Sequence, residues 1–210
     1  MAIGVIDVGV SNLGSLCGAL SYIGQDALLV RNAVAVNEVS HLILPGVGAF
    51  PEFLGRLKDR DLYEFTIKLA SRKFPILGIC LGMQALVETG TENHVTSGLG
   101  LINGEVLPLP SKANMRVPHV GWNSVNFHCE HPVFTGLKSG VDFYFVHGFY
   151  VQLKNYENLV ASCGYSVCFP AAIASGNIVG VQFHPEKSQS SGLRILRNFC
   201  NWDGSCSNAG

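Results

Sequence analysis

A cysteine between two glycines has the clearest potential for chemistry in this chain. Cys80 lies in the sequence Gly78-Ile79-Cys80-Leu81-Gly82, directly after an apolar run. This pattern predicts a buried strand that turns sharply into a helix, the cysteine version of the G-x-S-x-G nucleophile elbow. Unpaired N–H groups at the start of a helix favour an anion, and a thiolate is the nucleophilic form of cysteine. The alternative is a structural cysteine of the core.

A histidine and a carboxylate near the other end of the chain supply the groups that such a nucleophile needs. A strand pattern ends at His184, and Glu186 follows two residues later. A thiol needs a general base within hydrogen-bond reach, and the base needs an acceptor that orients it. Cys80, His184 and Glu186 are therefore the candidate catalytic residues. Their order differs from that of the α/β-hydrolases, in which the acid precedes the histidine.

Two glycines after an earlier strand pattern provide a candidate oxyanion site. Gly46 and Gly48 allow the backbone to approach a ligand closely and to present N–H groups to it. Attack by the cysteine on a carbonyl carbon would create an oxyanion that such donors stabilise. We expect the Leu81 N–H to be one donor and the N–H of Val47 or Gly48 to be the other. The turn is not a phosphate-binding loop, because it lacks the G-K-[ST] ending.

These residues must be positioned by a fold in which strands alternate with helices. The alternation predicts an α/β protein with an open, mostly parallel, twisted sheet flanked by helices, and antiparallel strands in the C-terminal half. In such sheets ligands bind beyond the carboxyl ends of the strands, where Cys80 and the two glycines lie. The predicted strands are 3–7, 27–30, 41–44, 75–79, 106–109, 124–127, 143–151, 159–163, 169–174 and 178–183. The predicted helices are 13–23, 49–58, 62–72, one that includes 84–88 after the elbow, and 192–202.

Composition and charge argue against several classes of function. With 14% charged residues and a formal net charge of −1, the chain has no electrostatic reason to bind nucleic acid or an anionic membrane. Its length predicts one domain over residues 1–202, and the small polar residues 203–210 are expected to fray. Seven cysteines without a C-x-x-C pair, and no signal peptide, predict a cytoplasmic protein with reduced thiols.

No metal or other cofactor is expected. His128, Cys129, Glu130 and His131 are adjacent in sequence, but they lie in a predicted loop. No further pair of ligands follows at a spacing that is usual for zinc.

Longer motifs surround the candidate catalytic residues. Gly78–Gln84 together with His184-Pro185-Glu186 resembles the class I (triad) glutamine amidotransferases. Within that family the chain is similar to the glutaminase subunits of imidazole glycerol phosphate synthases, from Ile3 to about Phe199. The stretches that carry this second resemblance are Pro45–Phe50, Pro118–Asn123, Tyr144–His147 and Val181–Ser188.

The resemblance implies a reaction and a partner. Cys80 would attack the side-chain amide of glutamine with His184 as base, and Glu186 would orient the imidazolium. The ammonia would pass to a (β/α)8-barrel cyclase subunit, which makes imidazole glycerol phosphate and an aminoimidazole carboxamide ribotide in histidine biosynthesis. The implied glutamine-binding residues are Gly46, Gly48, Leu81, Gln84, His147, Gly148 and Phe149. The implied partner-facing residues are Asn12, Trp122, Asn123 and Lys187.

Three positions depart from the family pattern. Ser11 replaces a usual glycine, Gly148-Phe149 replaces a usual Ser-Tyr pair, and Ser166 stands where glycine is common. These departures leave open a paralogous glutaminase that supplies another synthase, for example in making an aminated sugar. Two further alternatives are a catalytically idle subunit that regulates a partner, and a stand-alone cysteine hydrolase or peptidase of similar fold.

Overall fold

The structure is a computed structural model that describes residues 1–9, 13–33, 39–112 and 115–206. Its helices are α1 (Leu13–Tyr22), α2 (Phe50–Asp59), α3 (Leu62–Ser71), α4 (Leu81–Ala85) and α5 (Gln189–Asn201). Its strands are β1 (Ala2–Ile6), β2 (Ala27–Val30), β3 (Val39–Gly46), β4 (Ile76–Cys80), β5 (Val87–Gly90), β6 (Thr96–Ser97), β7 (Ile102–Pro108), β8 (His119–Phe127), β9 (Val141–His147), β10 (Phe149–Leu153), β11 (Leu159–Gly164), β12 (Cys168–Ser175) and β13 (Ile178–Val181).

The larger sheet combines parallel and antiparallel strands in one continuous layer. Its nine strands run in the order β2-β1-β3-β4-β13-β12-β11-β8-β9. The pairs from β2 to β13 are parallel, and those from β13 to β9 are antiparallel. The predicted α/β class and the antiparallel C-terminal half are confirmed, with the sheet as a whole mixed.

Helices cover both faces of the parallel half of the sheet. Successive residues of each buried strand face opposite sides, so apolar side chains on both sides pack against helices. Leu77 and Ile79 of β4 belong to the core that includes buried residues of α1 and α5. Ile76 belongs to the second core, which includes buried residues of α2 and α3. Strand β4 is therefore buried on both sides, as its apolar sequence predicts.

A second, four-stranded sheet in the order β10-β7-β5-β6 was not predicted. The predicted strand 143–151 is wrong, since Gly148 divides it into β9 of the larger sheet and β10 of the smaller one. The break follows from pairing, because β9 pairs with β8 while β10 pairs with β7. The two sheets therefore meet at Gly148, beside the glutamine-binding positions that the sequence predicts.

The helix predicted to include residues 84–88 is also wrong in extent. Helix α4 ends at Ala85, and the chain enters β5 at Val87. The following segment supplies the hydrogen bonds that allow this early end. Leu99 N–H donates to the Ala85 carbonyl at 2.8 Å, and Leu101 N–H donates to the Leu86 carbonyl at 2.9 Å. Long-range partners thus replace the next helical turn.

The turn between β4 and α4 depends on close backbone contacts. A Cβ atom at Gly82 would overlap the Leu44 carbonyl oxygen of β3, and one at Gly78 would lie 2.7 Å from the Gly82 carbonyl oxygen. Strand register places Cys80 opposite Gly46 and Ile79 opposite Val181. The ends of β3, β4 and β13 therefore come together at one edge of the sheet.

The end of the chain turns back on the last helix. Trp202 is buried, and its Nε1 donates to the Ser205 carbonyl at 2.6 Å. Residues 207–210 lie outside the described residues. The domain boundary at 202 and the fraying of residues 203–210 stay predictions.

Replacing Gly82 by alanine should destabilise the protein strongly. We expect the Gly82→Ala change to cost at least about 3 kcal/mol, because the overlap involves backbone that cannot move away. Urea denaturation followed by circular dichroism measures this cost. Gly55→Ala is the matched control, since a Cβ atom there meets nothing within 4 Å in α2. That change should stabilise the protein by about 0.5 to 1 kcal/mol. Equal denaturation midpoints for the two variants would contradict this account of the turn.

Candidate active site

Cys80 has a backbone conformation that side chains rarely adopt. Its φ is 54° and its ψ is −109°, at the residue where β4 ends and α4 begins. Non-glycine residues with positive φ occur mainly where the surrounding structure imposes them, often at functional sites. Here the close contacts of Gly78 and Gly82 impose it. The predicted elbow is present, and it places a buried thiol at the end of the central strand.

The Cys80 sulfur has polar neighbours from β9 and from the residue that follows β13. Its Sγ lies 3.7 Å from the Val146 carbonyl oxygen. Gln182 Nε2 also lies 3.7 Å from the sulfur, and an amide N–H donates to sulfur. Gln182 is thus in direct contact with the candidate nucleophile.

His184 and Glu186 form a buried pair beside this thiol. His184 Nδ1 lies 2.8 Å from Glu186 Oε1, and their side chains are only 6% and 5% exposed. Burial lowers the pKa of His184, but hydrogen bonds to Cys80 and Glu186, with their negative charges, raise it to about 10. With Nδ1 facing Glu186, the other ring nitrogen is left for Cys80. The three residues proposed from sequence therefore lie together in the order thiol, imidazole and carboxylate.

A cavity of about 310 Å³ opens in front of the thiol. Its wall includes Cys80, His184 and most of the predicted glutamine-binding and oxyanion positions. The full lining is Val47, Gly48, Cys80, Leu81, Gln84, Glu92, Pro118, Val146, His147, Gly148, Phe149, His184 and Lys187. Gly46 does not line this cavity and lies instead at a smaller one, with His184 and Glu186.

The predicted partner-facing residues lie beside the mouth of the cavity. Trp122 is 48% exposed on β8, and the register of the β8–β9 pair places it opposite Tyr144. Val120 and Val146 are opposite each other on the same pair of strands and are also exposed. We call Val120, Trp122 and Val146 the apolar rim.

Of the other predicted partner-facing residues, Lys187 lies near the apolar rim, Asn123 lies on the other face of β8, and one cannot be placed. Lys187 lines the cavity, and its Nζ lies 5.8 Å from the centre of the Tyr144 ring. Asn123 is half-buried on β8, next to Trp122. Asn12 lies outside the described residues.

Sequence reasoning missed several residues of this site. Gln182 is fully buried two residues before His184, and a glutamine within an apolar strand was a signal that could have identified it. Glu92 lines the cavity, where its Oε2 accepts from the Phe50 N–H at 2.6 Å, at the start of α2. No local pattern identifies Glu92, because a long-range contact brings it there. Pro118 and Val146 appeared only as parts of longer motifs.

Residues 128–131, the sequence neighbours that resemble metal ligands, have other partners. His128 Nε2 lies 2.7 Å from Ser162 Oγ, and His131 Nδ1 accepts from the Val133 N–H at 3.2 Å. Over the described ranges, no three His, Cys, Asp or Glu side chains are grouped as a metal site would require. The same part of the chain contains no helix long and apolar enough to span a membrane.

Comparison with known proteins identifies the family. A sequence model described as "Glutamine amidotransferase class-I" matches residues 4–202. The chain belongs to the class I glutamine amidotransferases. Predicted from the motifs, this membership is confirmed, and the candidate site lies within the matched part of the chain.

The curated relatives of this glutamine amidotransferase share one description. The imidazole glycerol phosphate synthase subunit HisH of Caldanaerobacter subterraneus is 44% identical over 198 residues, covering 94% of this chain and 96% of that protein. The same subunit of Moorella thermoacetica is 41% identical over 197 residues, covering 94% and 93%. Subunit HisH 2 of Nitrobacter winogradskyi is 37% identical over 208 residues, covering 96% and 98%. The resemblance to these glutaminase subunits is therefore confirmed.

Solved structures with lower sequence identity share the amidotransferase fold. The structure of PurLQS from Thermotoga maritima aligns with a TM-score of 0.77 at 20% identity, covering 95% of this chain and 97% of that one. The crystal structure of another glutamine amidotransferase aligns with a TM-score of 0.76 at 19% identity, covering 97% and 100%. At this identity the likeness concerns the fold alone.

Removing the Glu186 carboxylate should lower the pKa of His184. We expect Glu186→Gln to lower it by about one to three pH units, because one of the two anions that favour the imidazolium is lost. The imidazolium would then lose its proton well below pH 10 instead of near it. Titration of the His184 ring by NMR measures the change. Glu88→Gln is the control, since Glu88 pairs with Lys154 elsewhere at 2.7 Å. An unchanged titration in Glu186→Gln would show that this carboxylate does not stabilise the imidazolium.

Proposed function

We propose that this chain is a glutaminase subunit that hydrolyses glutamine to glutamate and ammonia and supplies the ammonia to a synthase subunit. The observation that carries the proposal is the buried Cys80–His184–Glu186 arrangement at the wall of a cavity. A thiol, a base within reach of it and an acceptor that orients the base are the groups that acyl transfer requires.

The reaction uses these groups in two steps. The Cys80 thiolate attacks the amide carbon of glutamine, and the His184 imidazolium gives its proton to the departing ammonia. This leaves a γ-glutamyl thioester on the sulfur. His184, now neutral, takes a proton from water as the water attacks the thioester. Glutamate leaves, the thiolate is restored, and Glu186 keeps the imidazole in place through its 2.8 Å hydrogen bond.

Backbone donors stabilise the oxyanion that forms in both steps. Leu81, directly after the nucleophile, supplies one N–H, and Val47 or Gly48 supplies the other; all three line the cavity. Gly48 has a φ of 102°, a conformation suited to glycine that shapes the loop facing the thiol. One such donor is worth about 2.7 to 4 kcal/mol in the enzyme where it has been measured.

The cavity wall is suited to a zwitterionic amino acid. Gln84, His147, Gly148 and Phe149 hold glutamine, and Gly48 lines the same cavity, two residues after Gly46. Glu92 and Lys187 place one negative and one positive side chain at the same cavity. These charges complement the α-ammonium and α-carboxylate of glutamine.

The synthase partner is a (β/α)8-barrel cyclase of histidine biosynthesis, which binds at the apolar rim. The names of the curated relatives support this choice, since each is a subunit of imidazole glycerol phosphate synthase. Exposed aromatic residues beside polar ones are typical of interfaces. Trp122, Asn123 and Lys187 would contact the partner, as would Asn12. The reaction takes place in the cytoplasm, within one domain over residues 1–202.

Trapping with a glutamine-like electrophile tests the catalytic role of Cys80. We expect the wild-type chain to be labelled at Cys80 and the Cys80→Ser variant to lose labelling, because serine lacks the thiolate. Mass spectrometry of the labelled peptide measures this. Cys168→Ser is the control, since Cys168 is exposed on β12 and away from the cavity. Labelling that survives Cys80→Ser would exclude the proposed nucleophile, and an unlabelled wild type would favour a catalytically idle subunit.

The affinity of this chain for the purified cyclase tests the proposed partner. We expect Trp122→Ala to weaken cyclase binding by about tenfold or more, because large aromatic residues dominate interface energies. Tyr156→Ala is the control, as Tyr156 is an exposed aromatic residue outside β8 and β9. Calorimetry measures both affinities. Wild-type protein that labels at Cys80 but does not bind the cyclase would favour the paralogue that supplies another synthase.

A further inference from the structure

The carbonyl oxygen of Phe149 accepts two hydrogen bonds at the wall of the cavity. His147 Nδ1 lies 2.8 Å from it, and Gln84 Nε2 lies 3.0 Å from it. A carbonyl oxygen can only accept, so both nitrogens must donate a proton to it. This requirement fixes the orientation of the Gln84 amide and leaves Nε2 of a neutral His147 as an acceptor. Burial lowers the pKa of His147 to about 4, so the ring is neutral at pH 7.

One arm of hydrogen bonds runs from this carbonyl to Asn123 of β8. His119 Nδ1 lies 3.0 Å from His147 Nε2 and donates to it. The remaining nitrogen of His119 then accepts from Asn123 Nδ2 at 3.3 Å. The Asn123 amide has this orientation because its Oδ1 accepts from the Ser124 N–H at 2.9 Å. Each donor in this arm therefore has an acceptor.

Aromatic rings hold His119 in the middle of this arm. Its ring stacks on Tyr165 at 4.0 Å and on Phe145 at 5.0 Å between centroids. Burial lowers the pKa of His119, which favours the neutral ring that the arm requires. The imidazole is thus fixed in position between His147 and Asn123.

A second arm runs from the same carbonyl to the nucleophile. Gln84 Nε2 uses its other proton to donate to Gln182 Oε1 at 3.1 Å. Gln182 Nε2 in turn faces the Cys80 sulfur at 3.7 Å. Gln182 is fully buried, so water cannot replace either of its partners.

We propose that this continuous hydrogen-bond chain from Asn123 to Cys80 positions the nucleophile relative to the glutamine pocket. Gln182 and His119 are its positioning residues for the glutaminase reaction. The proposal rests on the proposed function and extends it to residues outside the triad. Loss of one member leaves a buried polar neighbour without its hydrogen-bond partner. The neighbour then shifts to find another partner, and the geometry of the pocket changes.

Trapping kinetics of the full-length protein separate the two ends of the chain. The electrophile concentration at half-maximal rate reports the pocket, and the maximal rate reports the sulfur. We expect Gln182→Leu to lower the maximal rate about tenfold, since it removes the amide that faces the sulfur. We expect His119→Leu to raise the half-maximal concentration about tenfold, since it frees the His147 ring that holds the Phe149 carbonyl.

His41→Leu is the matched control for His119→Leu. His41 is also a buried histidine, and its Nε2 lies 2.7 Å from the Trp202 carbonyl oxygen, which is not part of the hydrogen-bond chain from Asn123 to Cys80. Its loss can reduce stability but should leave both kinetic constants unchanged. If His41→Leu raises the half-maximal concentration as much as His119→Leu does, general destabilisation explains the effect and the proposal is overturned.

Further variants keep the proposal falsifiable if His119→Leu fails to fold. His119→Asn retains an N–H group towards His147 but cannot reach Asn123, and Asn123→Ala breaks the same link from its other end. Both should raise the half-maximal concentration by a similar factor, and wild-type constants in both would overturn the proposal. The double variant that combines His119→Leu with Gln182→Leu is compared with the two single variants. If the changes in the kinetic constants do not multiply, the two residues belong to one connected hydrogen-bond chain, and changes that multiply would overturn the proposal. An unlabelled wild-type Cys80 would instead overturn the proposed glutaminase function.

Discussion

The contact between Gly82 and the Leu44 carbonyl is the constraint on which the site depends. It allows α4 to start directly against β3, so that Cys80 ends the central strand with a positive φ. The same closeness brings the loop after Gly46 to the nucleophile, because Gly46 pairs with Cys80. Backbone packing therefore sets the position of the nucleophile and of the loop that faces it.

Electrostatics complete what the backbone begins. The His184–Glu186 pair is almost fully buried, where an isolated charge would be costly. The pair is tolerated because the imidazolium has an anionic neighbour on each side, Glu186 and Cys80. His119 and His147 lie close by but stay neutral, since burial lowers the pKa of both rings, that of His147 to about 4. The three histidines thus differ in charge because only His184 is described as paired with a buried carboxylate.

Local sequence patterns predicted the parts of this architecture that local chemistry determines. The elbow at Cys80 and the parallel half of the sheet each depend on residues close together in sequence, whereas the strand predicted to continue to His184 ends at Val181. The second sheet and the early end of α4 depend on partners far along the chain, such as Leu99 and Leu101. Glu92 was missed for a related reason, because its carboxylate becomes part of the site only through its distant contact with the Phe50 N–H.

The division of one apolar stretch at Gly148 has a consequence for how this protein can change. Residues on its two sides belong to different sheets, each with its own register. Deleting or adding a single residue there would shift one register against the other and turn alternate side chains to the opposite face. The Phe149 carbonyl would then leave the cavity wall. The two registers therefore constrain the number of residues at this junction.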